Sequence, residues 1–146
     1  MGTKLTALTA DADPTKDDLV YTVNTPSGTP ASRKATVFNL LKQKVQAVTS
    51  SATVTPNADT DDMVVITAQA AGLTLANPSG TPTQGQKLLV RIKDNGTARA
   101  ISYGTQYRAV GEALPTTTVI SKLLYIGFFY NSTDTKWDCV ASKQEA

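Results

Sequence analysis

Histidine is missing from this 146-residue chain, and cysteine occurs once, at Cys139. The first absence removes the commonest general base and the commonest metal ligand. The second excludes an intrachain disulfide and any cysteine-rich zinc site. Charge is sparse at 18%, and 14 Lys+Arg against 12 Asp+Glu leave a net +2. That balance is too even to imply a nucleic-acid partner, and the basic residues are scattered, Lys42 with Lys44 being the densest pair. No apolar run approaches the roughly 20 residues that span a bilayer, and no signal-peptide core follows Met1, so neither a membrane partner nor export is expected.

Motifs for chemistry are equally scarce. There is no Gly-x-Ser-x-Gly elbow, no Ser-x-x-Lys and no glycine-rich phosphate loop. Asp59-Thr60-Asp61-Asp62 offers hard oxygens, but it lacks the glycine and terminal glutamate of an EF-hand and reads as a solvated acidic turn. Other carboxylates are dispersed, so no glycosidase pair can be argued. The expectation is a protein that is not an enzyme, without cofactor or metal.

What is present is threonine, with serine, alanine and glycine. Threonine is β-branched and suits half-exposed pleated surfaces. Residues 1–35 read as an arm, with a strand over Asp18–Val23 and a loop over Asn24–Pro30. Thr36–Val48 is the one helix candidate: Thr36 can cap it, and Val37, Leu40, Leu41, Val45 and Val48 share a stripe. That stripe would pack on the chain's own core or on a partner.

From Ala52 the period becomes two. Strands are predicted at Ala52–Thr55, Met63–Ala68, Leu73–Ala76, Lys87–Lys93, Ala98–Tyr103, Thr117–Ile120, Leu123–Tyr130 and Lys136–Ala141. Asp94-Asn95-Gly96 signals a hairpin between two of them, and Asn131–Asp134 a second tight connection. Tyr125–Tyr130, apolar on both faces, reads as a central strand or one covered by a subunit. Pro-Ser-Gly-Thr-Pro occurs at Pro26–Pro30 and at Pro78–Pro82, but no repeat is sustained, which argues against a solenoid. The fold expected is mainly β: an antiparallel sandwich or barrel, jelly-roll-like, over residues 51–146, preceded by an N-terminal attachment arm with one short helix over residues 1–50.

Two stretches carry a resemblance. NPSGTPTQGQKLLVRIKDNGTARAISYGTQYRA, continued by LPTTTVISKLLYIGFFYNSTDTKWDCVA, resembles a β domain of tailed-bacteriophage structural proteins, over about Ala52–Ala141. KLTALTADADPTKDDLVYTVNTPSGTPASRKATVFNLL resembles a short module at the start of phage fibre and decoration proteins, through Leu5…Leu8, Asp18-Leu19-Val20 and Lys34…Val37…Leu40-Leu41. The resemblance implies a virion component assembled in the bacterial cytoplasm, a homotrimer fixed by its N-terminal module to the major capsid protein or other virion proteins. Length favours a capsid decoration (cement) protein or short head fibre; the alternative is a tail or collar fibre module binding a host glycan through its Tyr and Trp side chains. Leu5, Leu8, Val37, Leu40 and Leu41 are the residues expected at the capsid or trimer interface.

Overall fold

The structure is a computed structural model that describes residues 15–24 and 31–146. It divides into two units, with the boundary at Lys42/Gln43. In the first unit, β1 (Leu19–Asn24) pairs antiparallel with β2 (Ala31–Thr36), and one helical turn follows, α1 (Val37–Leu41). Thr36 caps that turn as its sequence suggests, its hydroxyl accepting from the Asn39 N–H at 3.1 Å.

The helix is much shorter than the stripe predicts. Lys42 leaves it in extended backbone, and Val45–Val48 is strand. Val45 and Val48 are β-branched, and a long-range partner strand wins them over a local helical period.

The second unit contains β3 (Val45–Val48), β4 (Thr53–Val54), β5 (Met63–Gln69), β6 (Leu73–Leu75), β7 (Lys87–Asp94), β8 (Ile101–Tyr103), β9 (Tyr107–Ala109), β10 (Leu123–Asn131) and β11 (Lys136–Gln144). They form a six-stranded sheet of order β3-β5-β7-β10-β11-β9 and a three-stranded sheet of order β4-β6-β8. The protein is mainly β, as expected, but its sheets are mixed rather than antiparallel throughout. In this unit the β3–β5, β5–β7, β4–β6, β6–β8 and β9–β11 ladders are parallel, and the β7–β10 and β10–β11 ladders are antiparallel.

From β3 to β8 the chain visits the two sheets alternately, advancing one strand at each visit, and β9, β10 and β11 then complete the large sheet. That is the winding of a three-rung parallel coil, closed at its far end by the β10–β11 hairpin. The solenoid-like path left no repeat in the sequence because its turns are unequal. Val45 lies beside Met63, 18 residues on, and Met63 beside Leu89, 26 residues on. The Asp94-Asn95-Gly96 hairpin is corrected for the same reason. β7 belongs to the large sheet and β8 to the small one, so the turn is a corner of the coil. Thr117–Ile120 is not a strand; residues 116–118 run beside β8, with Thr117 bridging Ala100.

Strand alternation fills the space between the sheets. Val64, Ile66, Val90, Ile92, Ile126 and Phe128 face Val54, Leu73, Leu75 and Ile101, with Trp137, Tyr107 and Cys139 closing the same cluster. One corner of the coil is held by polar side chains. Gln69 is fully buried; its amide donates to the carbonyls of Ser51 (2.7 Å) and Ala71 (2.9 Å) and accepts from the Ser51 N–H. One rung on, and in register with it, Asp94 accepts from the Gly96 and Ser121 N–H groups and the Thr118 hydroxyl. Buried polar groups satisfied in this way pin each rung to the next.

Candidate functional site

The side chains with the most chemistry are engaged in holding the coil. In the acidic turn, Asp59 accepts from the Thr81 N–H, Asp61 from Asn57 and Asp62 from Lys44, at 2.7–2.9 Å. Asp59 and Asp62 thereby tie neighbouring segments to the turn, and Asp61 closes the turn on itself. Among the described residues no group of three or more acidic or cysteine side chains is arranged to hold a metal.

Arg108 makes a two-pronged pair with Asp138 (2.7 and 3.0 Å) and reaches Asp134 at 2.9 Å, linking β9 to the β10–β11 turn. The guanidinium holds the Asp138 carboxyl below the usual carboxylate range, against the opposing effect of burial. At Asp94, 3% exposed, burial raises the pKa, but the three hydrogen bonds outweigh it and the net shift is downward. Burial pushes the Tyr103 and Tyr107 phenols and the Cys139 thiol upward, so these groups stay neutral core members.

The apolar residues singled out for attachment sit differently. Leu5 and Leu8 lie outside the described residues. Val37 is half-buried, while Leu40 and Leu41 are exposed, Leu41 at 79%. Phe38, Leu19 and Val20 join them on the surface of the first unit, and α1 has no buried residue. Lys16, Val37, Phe38, Leu41 and Lys42 line a shallow hollow of about 410 Å³ there. Phe38 lies three residues before Leu41 and seven before Val45, so it shares their side of a helix and stands with Leu41 on the single turn. No family model, curated protein or solved structure matches the chain.

Two further surfaces complete the second unit. On the small sheet, Thr53, Thr74 and Ser102 stand in one row across three strands, the last two hydroxyls 2.9 Å apart, beside a shallow uncharged hollow of about 400 Å³. The aromatic side chains are mostly internal: Trp137 and Tyr107 are buried, and Tyr103 and Tyr130 pack against the core. In this unit the exposed aromatics among the described residues are Tyr125 and Phe129, both on the outer face of the large sheet. Among the described residues no helix is long and apolar enough to cross a membrane.

Proposed function

We propose that the protein is a bacteriophage virion structural component, a trimeric capsid decoration or short head-fibre protein attached through its N-terminal region. In this reading the coil is the projecting part and carries no catalysis. The observation that supports it best is that none of the described side chains of the first unit is buried. A two-stranded ribbon with one helical turn cannot stabilise itself by burial, and its Leu19, Phe38, Leu40 and Leu41 are exposed. Such a unit gains stability when other surfaces cover it. Three copies joined side by side would supply part of that cover and the capsid the rest. A contact of about 1,600 Å² is a sufficient single interface, and three linked contacts strengthen one another.

Light scattering of the purified protein tests the subunit count. A trimer at micromolar concentration that also sediments with capsids is the expected result; a monomer that ignores capsids would sink the reading. Copy number per particle, from quantitative mass spectrometry, separates the two variants: hundreds for decoration, a dozen or so for a fibre. The glycan-binding alternative calls for Tyr and Trp side chains clustered on exposed loops; with Trp137 and Tyr107 in the core it is not adopted.

A further inference from the structure

The outer face of the six-stranded sheet is a surface that the attachment reading leaves unused. Alternation sends Val64, Val90 and Ile126 inward and their neighbours outward. In register, Val45, Met63, Leu89, Gly127 and Ala141 then fall in a single row that crosses five strands. Four strand spacings make this row about 19 Å long. It is uncharged from end to end, and Gly127 leaves its middle without a side chain. Val45 at one end is 51% exposed.

The borders of the row are cationic. Lys87 stands on one side, its ammonium 5.7 Å from the ring centre of the exposed Phe129. Arg91, Tyr125 and Lys143 stand together on the other side, with Lys93 beyond them. None of Lys87, Arg91, Lys93 and Lys143 is ion-paired among the described residues. The two carboxylates at the margins are already committed, Asp138 to Arg108 and Glu145 to the Leu123 N–H at 2.8 Å.

We infer that this face seats an acidic polypeptide segment, its apolar side chains on the row and its carboxylates on the four cations. An extended segment of about six residues spans the row at 3.3 Å per residue. A second copy of this chain does not fit, because it would set the same cations against one another. A nucleic-acid backbone would satisfy the cations and leave the apolar row uncovered. The flat, half-buried Met63 and Leu89 do not project far enough to enter a lipid surface.

The test uses the full-length protein and a fluorescein-labelled ten-residue peptide of alternating glutamate and leucine, followed by anisotropy. A 20-base-pair DNA duplex, heparin and phosphatidylglycerol vesicles are run in parallel. Saturable peptide binding below about 100 µM is expected, weakened about tenfold or more by the paired change Arg91→Glu with Lys143→Glu. Lys87→Glu with Lys93→Glu, fully surface changes, gives the same loss if the first pair disturbs folding, which circular dichroism reports. No saturable binding, binding indifferent to both pairs, or tighter binding of DNA, heparin or vesicles overturns the inference.

Discussion

Asp94 shows how much one side chain carries in this fold. Its carboxylate receives three hydrogen bonds at a buried corner, and the net effect holds its pKa below the usual range. A carboxyl lowered on folding stabilises the folded state above the unfolded pKa of about 3.9, and that contribution is lost as pH falls through the folded value. Asp138 adds in the same direction through Arg108. Thermal melts should therefore show stability falling as pH drops below about 4. Asp94→Asn should lose about 1–3 kcal/mol at neutral pH and show a flatter acid limb; an unchanged acid limb would contradict this assignment. Gly104 makes the complementary point about space. A Cβ there would lie 2.2 Å from Asn77 Oδ1 and 2.6 Å from the Asn77 backbone nitrogen. Gly104→Ala should cost about 1–3 kcal/mol in urea unfolding. Gly127→Ala, whose added methyl meets only Ala141 at 3.9 Å, should change stability by less than about 1 kcal/mol.

Elements divide into those that local chemistry specifies and those that distant partners decide. Strands β5, β6, β7, β10 and β11 are legible in period two, because alternation of buried and exposed side chains is a local pattern. Which strand lies beside which is not local, and so the parallel coil was hidden behind an antiparallel expectation. Asp94-Asn95-Gly96 has the chemistry of a tight turn, and it is a tight turn; nothing in three residues says whether the chain returns to the same sheet. Gln69 likewise looks like an unremarkable polar strand end, although it is buried completely. Of the residues expected at an interface, Leu40 and Leu41 are exposed, and Phe38, three residues before Leu41 and legible by the same spacing, is exposed with them. Leu41→Asp together with Leu40→Asp should convert a trimer to monomer in light scattering while leaving the melting of the coil within about 2 °C of the parent. A trimer that persists would place the subunit contact elsewhere.

At the level of the whole molecule, the division at Lys42/Gln43 separates a unit with a core from one in which none of the described side chains is buried. The coil buries a contiguous apolar cluster between its sheets, including Trp137 and Phe128, and every member comes from residues after Gln43. Residues 43–146 expressed alone should fold, with a cooperative melt, strand-type circular dichroism and slow exchange of the β7 and β10 amides. Under the proposed function the same fragment should be monomeric and fail to sediment with capsids. An unfolded fragment would show that the first unit is needed to complete the coil.

The winding order of that coil also settles how a pull would travel through it. A tether on the N-terminal side enters the coil at Lys44 and β3, which has one neighbouring strand, whereas β5 and β7 have two each. Lys44 is fastened by the Asp62 carboxylate and by the N–H groups of Asp62 and Met63. Tension would peel this short outer strand first and lengthen the chain by one rung before the doubly held strands bear load. The coil thus has a built-in point of first yielding, placed next to the segment by which the protein is proposed to hang.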